Sequence, residues 1–149
     1  MWKLDTGERI AHWRAFRKTL DTLTLDAALA ETADFWHGCP FHPFYLDPDK
    51  PDTWPTPWEL IAENYYCDLA KTLGILYTVC FTEHKKELDP EIRVYYDAES
   101  QHTFNLAVFA QGKYVLNFRD TPVVNITSIN KNLILKQCYS SKELKLEEY

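Results

Sequence analysis

Glycine is scarce, with four in 149 residues, and no tract is of low complexity, so a disordered or fibrous chain is excluded over most of the length. Long apolar runs are missing too. Nothing approaches the roughly 18 consecutive apolar residues that a membrane-spanning helix needs, and "MWKLDTGERI" lacks the apolar stretch of a secretory signal. The expectation is a soluble cytoplasmic protein with no membrane partner. Positive charge is in deficit: 16 Lys and Arg against 22 Asp and Glu give a net charge of −6. Too few clustered cations remain to track phosphates, so nucleic acid is not an expected partner. The four cysteines, Cys39, Cys67, Cys80 and Cys138, form no C-x-x-C, which argues against a zinc ribbon or a disulfide framework and for reduced thiols. There is no internal repeat and no H-E-x-x-H.

What is present is apolar and aromatic. Apolar residues make up 46% and aromatics 15%, and a chain of this length buries roughly two-thirds of its unfolded surface. A single domain over 1–149 is expected. Thr6 can cap a helix carrying Ile10, Trp13, Phe16 and Leu20 at three- and four-residue steps. A second helix, from about Leu25 to Trp36, completes a helical hairpin over 1–36. Residues 37–56 then hold five of the eight prolines, a stiff and extended loop. "TPWE" signals a new helix, with Thr56 as N-cap, Pro57 first and Glu59 in the capping box. The apolar stripe Trp58, Ile61, Ala62, Tyr65, Leu69 and Leu73 carries it over 57–73, to a stop at Gly74.

The rest reads as strand, at 75–82, 91–96, 102–109, 113–119, 123–128 and 133–139, with a tail over 140–149. Connections so short cannot hold crossover helices. The expected fold is therefore α+β, with three helices on one face of a mostly antiparallel sheet of five to six strands occupying 74–139. In "HTFNLAVFAQGKYVLNFRD" a three-residue turn over 110–112 would set Val108 against Tyr114, Leu106 against Leu116, Phe104 against Phe118 and His102 against Asp120. Opposed residues have Cβ atoms about 4.5–5.5 Å apart. His102 and Asp120 thus read either as a polar pair closing an apolar face or as a base and the carboxylate that orients it.

"NYYCDLAKTLGILYTV", "HTFNLAVF" and "GKYVLNFRD" resemble the transglutaminase-like core, which is papain-like in its order of Cys, His and Asp or Asn. The resemblance spans residues 64–120. It implies a thiol-dependent amide hydrolase or acyl transferase, with Cys67 as nucleophile, His102 as general base and Asp120 or Asn117 orienting the imidazole. In that family the nucleophile opens its helix. Here helical periodicity puts Cys67 within a helix begun at Pro57, on the face of Glu63, Asn64 and Lys71 and turned away from His102.

"DFWHGCPFHPF" offers His37, Cys39 and His42, a C-x-x-H with a nearby second histidine. Zinc needs about four ligands, or three and a water, and no second half of such a site accompanies these residues. No cofactor is therefore expected, with zinc there the weak alternative. Trp36, Phe41, Phe44, Tyr45, Trp54 and Trp58 read as an aromatic cluster, packed over the helix pair or docking a partner. The run from Asp34 to Val79, with Pro-Trp-Glu-Leu-Ile at 57–61 and Tyr66, Cys67 and Asp68, also resembles small proteins of tailed bacteriophages. That resemblance implies a host-cell or virion setting. Together these point first to a non-catalytic interaction or virion-assembly subunit, with a protein partner or self-assembly, and second to the thiol enzyme.

Overall fold

Asp5, one residue before the expected cap, starts the first helix: its carboxylate accepts the Glu8 N–H at 2.9 Å, and α1 spans Thr6–Leu20. Thr24 does the same for α2, Leu25–His37, through the Ala27 N–H. The computed structural model describes residues 1–43, 45–119, 122–129 and 131–149. Within them the fold is α+β, with four helices and one antiparallel four-stranded sheet ordered β3-β2-β1-β4. The strands are β1 (Glu91–Asp97), β2 (His102–Phe109), β3 (Tyr114–Leu116) and β4 (Ile134–Tyr139).

The expected third helix is two helices. The capping box forms as read, with Thr56 Oγ1 accepting the Glu59 N–H and the Glu59 carboxylate accepting the Thr56 N–H, but α3 covers only Pro57–Glu63. It ends where Asn64 turns left-handed at φ 59. Arg9 fixes the end: its guanidinium donates to the carbonyls of Ile61 and Ala62 at 2.7 and 2.9 Å. A continuing helix would have bonded those carbonyls to the amides of Tyr65 and Tyr66.

The chain restarts as α4, Asp68–Cys80. This helix takes up most of what periodicity marks as a strand over 75–82, because "ILYTVC" is buried on every side and a short apolar run reads alike as strand or buried helix. Gly74 lies inside α4 rather than ending it. A Cβ there would sit 2.3 Å from the Trp36 ring, so the glycine lets α2 press onto α4. One turn on, Thr78 Oγ1 accepts both indole N–H groups, from Trp13 at 3.0 Å and Trp36 at 2.8 Å, and donates to the Gly74 carbonyl at 2.7 Å.

Both faces of the sheet are covered. Ile92, Val94, Ala107 and Phe109 pack beneath the helices, whereas Phe104, Leu106, Val108 and Val115 form a second cluster under Ile126 and Ile129. The expected strand over 123–128 is a short 3-10 turn at Ile126–Ser128 and a lone bridge from Val124 to Val115. The hairpin register also differs by one residue. Phe109 faces Tyr114, Val108 faces Val115 and Ala107 faces Leu116, because the turn holds four residues with Ala110 and Gln111 left-handed at φ 50 and 58. A one-residue slip exchanges the faces of a strand, so Leu116 points toward the helices.

Candidate functional site

The break between α3 and α4 carries Cys67 to the start of a helix. Cys67 is the N-cap of α4, and its sulfur accepts the Ala70 N–H at 3.4 Å. The expected mid-helix position is thereby corrected. Tyr66, just before it, is held extended against the Pro-rich loop: Phe41 and Tyr66 form a parallel bridge, and the His42 N–H donates to the Tyr66 carbonyl at 3.1 Å. The first turn of a helix points unpaired N–H groups at whatever lies there, a setting that receives negative charge.

Cys67 is 7% exposed and opens onto a cleft of about 850 Å³ between the Pro-rich loop and the helix-facing side of the sheet. Phe41, Leu46 and Pro48 form the loop wall, Val94 and Tyr96 of β1 the floor, and Lys136 and Asp49 charged points on the rim. Thr103 and Asn105 of β2 complete it beside Asp68. The Asp68 carboxylate accepts from Asn105 Nδ2 at 2.9 Å and from Asn117 Nδ2 at 3.1 Å. Asn117 Nδ2 also donates to Thr72 Oγ1 at 2.8 Å, and Thr72 Oγ1 to the Asn105 carbonyl at 2.6 Å. This network ties the start of α4 to β2 and to the end of β3.

The structure does not bring His102 to Cys67. Strand β2 alternates, so Thr103, Asn105, Ala107 and Phe109 face the helices while His102 and Phe104 face outward. The His102 ring lies 4.5 Å from that of Phe104, and its cross-strand neighbour on β1 is Asp97. Asp97 is already engaged by the turn, accepting from the Glu99 amide at 3.0 Å and Ser100 Oγ at 2.9 Å. Hydrogen bonding to Ser100 is the main reason its carboxyl lies below the ordinary carboxylate range. Asp120 lies outside the described residues. Asn117 is on the helix-facing side, with its amide on Asp68 rather than on an imidazole.

A histidine does share a cavity with Cys67. A pocket of about 170 Å³ behind the thiol is lined by His37, Cys39, Tyr66, Cys67 and Lys71. Burial pushes the Cys39 thiol up to about 11 against the partial opposition of Lys71, and burial raises Cys80 to about 12. Among the described residues no group of three or more His, Cys, Asp and Glu is placed to hold a metal ion. His42 lies with its ring 4.8 Å from that of Tyr65.

Of the six aromatics read as one cluster, the five that are described are dispersed. Trp36 is fully buried against Trp2 and Tyr66. Trp58 joins Trp13 and Phe81, Trp54 meets Tyr139, and Tyr45 meets Tyr65. Phe41 stands out at the cleft mouth, 73% exposed, and Phe44 is outside the described residues. Rings adjacent in sequence separate because the loop wraps the domain instead of folding back on itself.

No family model matches the sequence, and no curated protein matches it. Among solved structures there is a chain of similar fold, and the likeness is one of architecture alone. That chain is calcium-bound LapG of Legionella pneumophila, with a TM-score of 0.68 at 13% identity over 94% of this chain and 82% of that one. No helix among the described residues is long and apolar enough to cross a membrane.

Sequence periodicity missed Arg9 and Asn105, gave Asn64 no part in ending a helix, and named Asn117 only as an alternative orienter of the imidazole. Asn64 carried a signal, since asparagine is a common left-handed helix end and two tyrosines follow it. Arg9 carried none, because its partners lie some fifty residues along the chain.

Proposed function

We propose that this protein is a transglutaminase-like thiol protein that forms an acyl intermediate on Cys67 with an amide or ester held in the neighbouring cleft. The observation that carries the reading is the position of Cys67 at the start of α4, opening onto that cleft. The sulfur attacks the acyl carbon, the amine or alcohol leaves, and water or a second amine releases the product from the thioester. Amides at the start of α4 supply donors for the oxyanion. The apolar wall of Phe41, Leu46, Pro48 and Val94 favours an acyl group or peptide with an apolar side chain.

The test is exposure to an activated aryl ester. A burst of phenolate together with an acyl adduct on the Cys67 peptide, both lost in Cys67→Ala at unchanged melting temperature, is the expected result. Absence of any adduct on Cys67 counts against the reading.

A second reading is favoured by the Asp68, Asn105 and Asn117 network. Asparagines, rather than a histidine, face the start of α4 from β2 and from just after β3, as in a cleft that binds a partner segment without turning it over. Under it Cys67→Ala leaves binding intact. The expected virion or phage role draws no support from the likeness of fold.

A further inference from the structure

Two arginines of α1 are buried to the same degree and used in opposite ways. Arg9 is 6% exposed and Arg17 8%. Arg9 donates to the carbonyls of Leu4, Ile61 and Ala62. Among the described residues Arg17 has no hydrogen bond and no ion pair, and its Nε is sealed from solvent without a partner. The guanidinium lies instead over three rings, its centre 4.2 Å from that of Trp13, 4.6 Å from Phe81 and 5.6 Å from Trp58. Ring faces offset part of the cost of burying the charge, but they supply no oxygen to its N–H groups. Nor does a carboxylate act on it: burial first, and then Arg14 one turn back, bring the group down to about 10. Arg14 and Lys18 share this side of α1 at a spacing of four residues, both exposed and both without an ion-pair partner among the described residues. Trp58 beside them is 40% exposed. None of these residues lines the cleft at Cys67.

We infer that this end of α1, where it meets Trp58 at the start of α3, binds an acidic segment of a partner protein. One carboxylate of the segment meets the guanidinium of Arg17, and an apolar side chain next to it rests on Trp58. The chain has 22 acidic residues and a net charge of −6, yet none of its described carboxylates pairs with these three cations. Of the Arg17 nitrogens only Nε is sealed and unpartnered, so the unbonded Nη pair is reached from the surface. A guanidinium already held by rings loses little freedom when a carboxylate accepts its parallel N–H groups, and the pair satisfies a charge that the fold leaves unmet. Arg and Trp are also the residue types that concentrate binding energy at protein interfaces. A nucleic acid or an anionic membrane engages many cations at once, and the net negative charge of this chain opposes both. Three cations over little more than one helical turn suit a short segment.

The experiment is titration of the full chain with a capped peptide of alternating glutamate and leucine, followed by the NMR signals of the indole N–H groups. The Trp58 signal, assigned by its loss in Trp58→Phe, should move and saturate while that of Trp54 stays in place. The same peptide with glutamine for glutamate should bind at least about tenfold more weakly. Arg17→Met should cost at least about tenfold in affinity, and Arg14→Gln about threefold. Arg17→Met keeps an apolar stem against the rings and removes a buried charge without a counter-charge, so its melting temperature should not fall. Should that variant fail to fold, Arg14→Gln decides, because Arg14 is exposed. Cys67→Ala should bind the peptide as the parent does, since the cluster lies outside the cleft. A melting temperature lowered by Arg17→Met with affinity unchanged makes the cation structural and overturns the inference. So does a Trp58 signal that does not move, or equal binding of the glutamine peptide. Sedimentation with phosphatidylserine vesicles that is lost in Arg14→Gln, with no response to the peptide, overturns it in favour of a membrane.

Discussion

The junction between α3 and α4 and the turn between β2 and β3 depart from regular structure in the same way, and with opposite results. At the junction one left-handed residue, Asn64, ends a helix early and delivers Cys67 to the start of the next. At the turn two left-handed residues, Ala110 and Gln111, lengthen the connection and slip β3 by one position. The first break places the thiol at a cleft. The second helps set which side chains of β3 meet the helices, while His102 looks outward by the alternation of β2 itself. The thiol thus reaches the site through an irregularity, whereas Thr103 and Asn105 reach it through the regular alternation of β2.

Gly112→Ala should break the turn side of this comparison most severely. Gly112 has φ 101, and a Cβ there would lie 2.6 Å from Ile126 Cγ2. Strain and overpacking together should cost about 3 kcal/mol in urea unfolding. A cost below about 1 kcal/mol would mean that this turn does not set the register.

Asn64→Ala tests the junction. It loses a residue type that tolerates the left-handed region and also the bond from Asn64 Nδ2 to the Trp2 carbonyl at 2.9 Å, for an expected loss of about 2 kcal/mol. Asn64→Gly keeps the backbone geometry and should cost about 1 kcal/mol. If both variants are equally unstable, the Trp2 contact matters and the left-handed turn does not.

Thr56→Ala removes the capping box at the other end of α3 and should cost about 1 kcal/mol. Its alkylation rate at Cys67 should match the parent, because the start of α3 does not place the thiol. A changed rate would show that the whole of α3, rather than its end, positions Cys67.

The mildest expected effect belongs to two other thiols. Cys39 and Cys80 are raised from 9.0 to about 11 and about 12 by burial. The folded state therefore holds protons that the unfolded state releases above pH 9. Their contribution to stability is complete below pH 9 and is lost as pH rises toward 11 and 12. Melting temperature should be insensitive to these thiols at pH 7 and fall above pH 9, and less so in Cys39→Ala. A flat profile to pH 11 would show that Cys39 is solvated.

Much of the architecture was legible in the residues. Apolar spacing marked α1 and α2, residue order marked the capping box at Thr56, and bounding polar or turn residues marked the segments that became β1, β2 and β4. The stop at Gly74 and the strand over 75–82 were misread because a fully buried helix shows no polar face, so its glycine looks like a terminator. The site was half legible. Cys67 stood out as a thiol in a helical segment, but its place at a helix start depends on Arg9 reaching carbonyls far along the chain. His102 stood out by register counting, and one additional turn residue changed the count. His37 was noticed only as a weak zinc candidate, since its approach to Cys67 depends on how α2 packs on α4.

Thr78 carries a consequence of another kind. Its hydroxyl accepts from Trp13 and Trp36 and donates to the carbonyl of Gly74, using its whole hydrogen-bonding capacity. The glycine in turn makes room for the Trp36 ring. These four positions, spread over three helices, are therefore not free to vary one at a time: loss of the hydroxyl orphans two indoles, and a smaller ring at 36 leaves a void over the glycine. Among divergent relatives they should change as a set or not at all, a covariation that would persist even where the residues of the cleft have drifted.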